Sequence, residues 1–439
     1  MDNLTDREPD VTIYTTSSST GPVLELTAPR IGRPLTVRLK AADIVRDRCA
    51  RLGREMARVV RGVSTGRGRR LEPERAGRLI EDVAQAGRVF LSYVLRDPRE
   101  DFANLSGFLR DACPTWRMRG ARTPLIHAIA DPDHYFPWEL LPLFDPFATV
   151  EVRDQVELER SSLRFPGFAA VLERADPDHP VNTTHLDGWD RLPVRVVYDS
   201  TYPGVQAEVG FFRGNGHLFR LEGPYPRDVE DASEPTLAQQ LCDPALRVDG
   251  RHGEHPDQVL HVACHCQADG LDTATFAYRL ADEQSRHLVV RLDDLLEELM
   301  RHWAAAATHP GAGRPPDKPL VFLNACGTAV TDPASAASLL KPFRDNRNRG
   351  IIGTAANVPD RIAAEVSRSF YTSLVGRAMN VGEALHEAKW QLLTDRGNPL
   401  GLLYAVHAFA GLRIAPVPIP APIRNLEVLR EESDQQPVA

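Results

Sequence analysis

The sequence predicts an α/β fold: a mostly parallel central sheet covered by helices on both faces, preceded by a small N-terminal region of short strands and helices. Three observations carry that expectation. From about Arg122 onward, short apolar runs bounded by turn residues alternate with longer stretches of helical periodicity, the rhythm of strand–helix–strand units. Several of those runs (VRVVY, VLHVA, LVFL, GIIGT) are apolar at nearly every position, as strands buried on both faces are. The 439 residues, 42% hydrophobic and 26% charged, have the composition of a folded chain with room for two or three domains.

The elements follow in order. Val11–Tyr14, Val23–Leu26 and Leu35–Leu39 are β-type runs separated by Gly, Ser and Pro turns. Ala41–Val63 and Leu71–Leu95 place apolar residues three and four apart and predict helices, joined by the basic loop STGRGRRLEP. A third short helix is expected near Phe102–Asp111. Strands are then expected at Leu125–Ala130, Val194–Tyr198, Val259–Ala263, Leu320–Leu323 and Gly350–Thr354, with late edge strands at Ala405–Phe409 and Leu412–Ile414. Between them lie helical stretches at Asp293–Trp303, at Pro333–Phe343 with proline at its first position, at Asp360–Leu374 and at Val381–Leu393. His309–Lys318 is a Pro/Gly-rich loop, and the proline-alternating, then charged tail after Ile414 reads as an extended or disordered extension. The expected division is an accessory region over residues 1–118, the main α/β domain over 119–415 and the tail over 416–439.

Bulk properties exclude several function classes. A net charge of −8 does not fit an overall nucleic-acid binder, and no apolar run approaches a membrane span. The arginine-rich stretch from Arg46 to Arg122 is interleaved with acids and reads as a solvated helical face. The polar, acidic N-terminus does not read as an export signal, and six scattered cysteines do not make a disulfide scaffold, so a reducing cytoplasm is the expected compartment. Neither a phosphate loop nor a dinucleotide-binding glycine fingerprint is present.

Two strand ends carry reactive side chains. VLHVACHC delivers His265, and PLVFLNACGT delivers Cys326. On neighbouring parallel strands the two would share one edge of the sheet. There an imidazole can turn the thiol into a thiolate and later protonate a leaving amine. The oxyanion formed on attack needs backbone donors, for which the N–H groups of Cys326 and Cys266 are the candidates, and Gly327 lets the backbone approach a substrate closely. Taken alone, each residue has a plainer reading: a buried structural cysteine and a histidine closing a strand. His261, two positions before Ala263, is assigned a structural role, Trp138 is expected in the core, Glu139 in a local pair and Glu208 on a helix surface. Cys264, His265, Cys266 and His261 form an H-x-x-C-H-C cluster of the residue types zinc uses. Adjacent strand residues point to opposite faces, however, and no second Cys/His pair has the right spacing, so no metal is expected.

HVACH, followed some sixty residues later by LNACGT, resembles the CHAT family of caspase-like (clan CD) cysteine proteases. FPWELLPL at Phe136–Leu143 resembles that family's Pro-Trp-Glu-Leu-Leu signature, and Val194–Asp199 followed by Ala207 and Glu208 resembles its strand and helix. GIIGTAANVPDRIAAEVSRSFYTSLVGR, GEALHEAKWQLL and HAFAGLRI resemble, in the family's order, the blocks after the nucleophile. The resemblance covers roughly residues 120–415. It implies a caspase-like three-layer sandwich and hydrolysis of a peptide bond in a protein substrate, with Cys326 as nucleophile, His265 as base and no cofactor. Asp199, and less directly Asn324, are the expected substrate-binding residues, Asp199 favouring a basic P1 side chain. The chain departs from the family where Cys266 stands in place of the usual glycine after the histidine. An idle caspase-like scaffold is the alternative. The family also implies a bacterial immune or stress-response role, and a separate activating sensor protein docking on the N-terminal region is the expected partner, with no nucleic acid and no membrane.

Overall fold

The computed structural model describes residues 7–18, 21–64, 70–118, 122–130, 136–147, 151–175, 184–229, 233–247, 251–268, 276–307, 318–324 and 340–415. In chain order the strands are β1 (Val11–Ser18), β2 (Gly21–Thr27), β3 (Leu35–Arg38), β4 (Leu125–Ala130), β5 (Val171–Ala175), β6 (His185–Asp187), β7 (Leu192–Tyr198), β8 (Phe219–Tyr225), β9 (Val259–Ala263), β10 (His265–Ala268), β11 (Phe276–Ala281), β12 (His287–Arg291), β13 (Leu320–Leu323), β14 (Gly350–Thr354), β15 (Tyr404–Ala408) and β16 (Arg413–Ala415). The helices are α1 (Ala42–Ser64), α2 (Pro73–Val94), α3 (Pro98–Ala112), α4 (Gln155–Ser162), α5 (Pro166–Ala169), α6 (Pro203–Gly214), α7 (Glu234–Cys242), α8 (Leu292–Ala307), α9 (Asp360–Tyr371) and α10 (Val381–Arg396).

Eleven of these strands form one sheet in the order β3-β2-β1-β4-β5-β15-β14-β13-β9-β7-β8. It is mostly parallel. Two parallel blocks, β1-β4-β5-β15 and β14-β13-β9-β7-β8, meet at the antiparallel pair β14–β15, where Gly350 (φ 146°) lies so close to Ala408 that a Cβ would come within 2.1 Å of that methyl carbon. Two expectations change here. β15, expected at an edge, lies in the middle of the sheet, because the N-terminal strands continue the sheet beyond it. β1 pairs in parallel with β4, so the sheet itself runs across the stretch around residue 118. Two smaller sheets, β10-β11-β12 and β16-β6, complete the described strands.

Side-chain alternation divides the core. Leu320 and Phe322 of β13 pack into the larger apolar cluster with Val205 and Phe212 of α6 and Val366 and Phe370 of α9. Val321 and Leu323 point the other way, into a cluster with Leu237 and Leu241 of α7 and Leu295 and Leu299 of α8. Helices thus cover both faces of the half of the sheet containing β13, giving three layers. The helix starts follow local chemistry. α3 begins one turn earlier than the apolar pattern indicated, because Asp97 caps it by accepting from the Glu100 N–H at 3.2 Å and Pro98 occupies its first position. α10 starts at Asn380, whose side chain accepts from the Glu383 N–H, and ends at Gly397 with φ 61°. No helix among the described residues is long and apolar enough to cross a membrane.

Candidate active site

Three strands end level at one edge of the sheet. β9 lies between β7 and β13 and parallel to both, with Tyr198 beside Ala263 and Leu323 beside Val262. The ladder runs one residue past each outer strand: the Asp199 N–H donates to Ala263 O at 2.9 Å and the Asn324 N–H to Val262 O at 2.8 Å. β8 flanks β7 on one side and β9 on the other, so the strand order reverses here. The crevice outside the carboxyl ends of such strands is where open α/β sheets bind ligands. Asp199, His265 and Asn324 all follow those ends. Cys326, two positions after Asn324, lies outside the described residues.

The chain bends at Cys264, and His265 opens β10, an edge strand antiparallel to β11 with His265 opposite Arg279. The imidazole is half-buried and lies nearly parallel to the Tyr202 ring, with centroids 6.2 Å apart and planes at 29°. Burial pulls its pKa down, the Arg279 cation adds to the fall, and the Asp199 carboxylate opposes it. A histidine held neutral at ordinary pH can accept a proton, and the protonated form is then supported by the nearby anion.

Asp199 is fully buried. Its Oδ1 accepts from the Thr201 N–H at 3.0 Å and from the Thr201 hydroxyl at 2.5 Å. Oδ2 is buried with no hydrogen-bond partner among the described residues, an arrangement that costs free energy unless a cation or donor meets it. A parallel bridge to Ala281 and the Ser200 N–H on Ala281 O, at 3.1 Å, tie this strand end to β11. Asn324 is also buried, and its amide is engaged: Nδ2 donates to Glu208 Oε2 at 2.9 Å and Oδ1 accepts from the Tyr404 hydroxyl at 2.9 Å. The Cys266 side chain packs into the apolar cluster with Tyr278 and Leu280, where burial pushes its thiol up to about 12. Its backbone belongs to β10, an edge strand in which alternate N–H groups point away from the ladder. Cys264 packs into the same cluster, and among the described residues no group of three His, Cys, Asp or Glu side chains is placed to hold a metal.

Glu208 departs from its expected place on a helix surface. It is buried, and its Oε2 lies 2.6 Å from His261 Nε2. The signal was present in the sequence: Val205, Val209 and Phe212 lie three, one and four positions away, so Glu208 sits within an apolar helical stripe. His261 is fully buried and hydrogen-bonded, as its structural assignment expected, with Tyr371 OH 3.2 Å from Nδ1. Trp138 is in the core. Glu139 pairs with Arg174 of β5, distant in sequence, rather than locally.

Residues 201–418 match the CHAT domain family model. A protein of Vitiosangium sp. (strain GDMCC 1.1324) described as a probable protease is 27% identical over 217 residues, covering 48% of this chain and 25% of that protein. The chain therefore spans about a quarter of the length of this curated relative. Two crystal structures of the Saccharomyces cerevisiae separase–securin complex align with 91% of this chain and 30% of theirs, at 10% and 11% identity and TM-scores of 0.42 and 0.40.

Proposed function

From the match of residues 201–418 to the CHAT domain, we propose that the chain is a caspase-like cysteine endopeptidase in which Cys326 is the nucleophile and His265 the base. The observation that carries the proposal is the pairing of β9 with β13: adjacent and parallel, they end at the same edge of the sheet, and in the sequence His265 comes two positions after the end of β9 and Cys326 three after the end of β13. In this reading His265 draws the proton from the Cys326 thiol, and the thiolate attacks the scissile carbonyl carbon. The oxyanion is met by the N–H groups of Cys326 and Cys266. The tetrahedral adduct collapses as the imidazolium gives its proton to the leaving amine, forming an acyl-enzyme. Water, deprotonated by His265, then cleaves the thioester. The buried Cys266 side chain supports the oxyanion assignment, because it is packed into the apolar cluster rather than standing in the crevice. Asp199 is proposed to line the P1 pocket and favour lysine or arginine, on the strength of its buried Oδ2, which has no hydrogen-bond partner among the described residues, at the strand switch.

The same proposal makes the protein a bacterial immune or stress-response effector whose activity rises when a separate protein docks on the N-terminal region. Co-expression with its genomic neighbours, followed by mapping of new N-termini in the cell's proteins, tests the whole reading. Cleavage after basic residues is expected with the wild type. It should fall about a thousandfold or more with Cys326→Ala or His265→Ala. The same cleavage products in undiminished yield from Cys326→Ala would sink the proposal.

A further inference from the structure

A chain of buried polar groups lies on the α6/α9 face of the sheet, and the proposed chemistry does not use it. Glu208 Oε2 is its hub, 2.6 Å from His261 Nε2 and 2.9 Å from Asn324 Nδ2. Tyr371 OH lies 3.2 Å from His261 Nδ1, and the Tyr404 hydroxyl donates to Asn324 Oδ1 at 2.9 Å. All five side chains are buried. Each comes from a different element: Glu208 from α6, His261 from β9, Asn324 from the end of β13, Tyr371 from the end of α9 and Tyr404 from the start of β15.

A carboxylate is retained out of water where several fixed donors hold it, and a fully engaged buried network has essentially one geometry. Asn324 is where that rigidity reaches the site. Its backbone N–H is fixed to Val262 O, and its amide is fixed to α6 on one side and β15 on the other. Two residues later in the chain comes Cys326. The same helix also reaches the base from its N-terminal end, where Tyr202 stacks on His265. Reactive groups have to be held to within a fraction of an ångström by supporting contacts of this kind.

We infer that Glu208 and Asn324 are a positioning pair for the proposed nucleophile: their hydrogen bond fixes the residue that ends β13, two positions before Cys326 in the sequence, and through it the reactivity of that thiol with the His265 base. The inference rests on the proposed Cys326–His265 chemistry and adds the device that keeps the two groups together. It gives Asn324 a role through Cys326, in place of the direct substrate contact expected from the sequence.

Alkylation of the purified full chain by iodoacetamide, followed cysteine by cysteine with mass spectrometry across pH, tests it without a known substrate or activator. In the wild type, Cys326 should react fastest at neutral pH. Cys113 and Cys266, both buried and pushed up to about 12, should stay unmodified and report that the fold is intact. Asn324→Asp sets two carboxylates against each other, and Glu208→Gln removes the charged acceptor. Each should slow Cys326 labelling about tenfold at neutral pH and move its profile to higher pH, as a displaced thiol loses its imidazolium partner. Combining Glu208→Gln with Asn324→Asp restores a donor facing an acceptor and should recover most of the rate. Tyr404→Phe removes a single hydroxyl while keeping the ring, and should shift the profile in the same direction by a smaller amount. A network that only stabilises the core would lower the melting temperature of these variants and leave the Cys326 profile where it was. That result, or a double variant no faster than Asn324→Asp alone, overturns the positioning role. A wild-type Cys326 no more reactive than Cys49 or Cys242 overturns the dyad and the positioning pair together.

Discussion

Loss of Glu139 should cost more stability than loss of Arg174, although the two form one ion pair. Glu139 sits in the short helix Trp138–Leu140 and Arg174 on β5, and both are buried. Arg174 Nε donates to Glu139 Oε1 at 3.0 Å, and its Nη2 donates both to Oε2 and to Phe136 O, the latter at 3.0 Å. Burial pushes the Glu139 carboxyl up, but the charge and hydrogen bonds of Arg174, with the charge of Lys389, hold it below its ordinary value. Lys389 of α10 is the third member. Burial pulls its amine down to about 8, against the pull of Glu139 and with the push of Arg174. Glu139→Gln therefore leaves two buried cations without their anion, whereas Arg174→Met leaves the carboxylate a cation. Breaking a buried pair by removing one partner costs about 3–5 kcal/mol, and Glu139→Gln belongs at the upper end. Arg174→Met should cost less by about 1.5–3 kcal/mol, the usual worth of a hydrogen bond to a charged group, which Lys389 can take over. For 439 residues melting as one unit, 1 kcal/mol corresponds to about 1 °C. Scanning calorimetry should then show a fall of about 4–5 °C for Glu139→Gln and about 2–3 °C for Arg174→Met. An Arg174→Met protein at least as destabilised as Glu139→Gln would refute the compensation by Lys389.

The remaining expectations concern single groups. Lys389 binds its proton less tightly in the folded chain than at its ordinary 10.5, so the unfolded state carries more protons between pH 8 and 10.5 and Lys389 contributes stability as pH rises through that window. The gain is about 3 kcal/mol in total; measured as wild type minus Lys389→Met, a flat difference across the window would contradict it. Arg279→Gln should raise the His265 pKa, and Asp199→Asn should lower it, because the first removes a repelling cation and the second an attracting anion while burial stays. NMR titration of the ring reads both, and shifts of the same sign would be the wrong answer. Gly204→Ala places a Cβ 2.4 Å from Asp360 O, where α6 and α9 start together with the Gly204 N–H on Asp360 Oδ2 at 3.0 Å. It should cost about 1–3 kcal/mol by forcing the two helices apart, and a melting temperature equal to the wild type's would show that the contact yields freely.

What was readable in the sequence follows the apolar pattern. β7, β9, β13 and β14 are short runs buried at every position, and the apolar pattern marks each to within two residues of its ends. β5 (VLERA) gives no such signal because two of its five residues are charged: Glu173 and Arg174 are buried, but their partners lie elsewhere in the chain. β8 is silent in the sequence for a related reason. Its FRLEGPY carries Arg220 and Glu222 and a Gly-Pro pair that reads as a turn, which an edge strand tolerates. The hairpin β11–β12 (FAYRLA and HLVVR) shows neither a period-two alternation nor a long apolar run, so it does not stand out beside the helix that follows it.

Residue order alone determined that His265 and the segment leading to Cys326 stand at the ends of two buried strands, because continuous apolar runs stopped by turn residues have few other ways to satisfy both burial and backbone hydrogen bonding. Which strands became neighbours was a tertiary decision. The pairing of β9 with β13, the central place of β15 and the burial of Glu208 between His261 and Asn324 all join residues tens to hundreds of positions apart. Local pattern records that a side chain is to be buried; its partner is selected only when the sheet closes and every buried polar group has to find a donor or acceptor within reach.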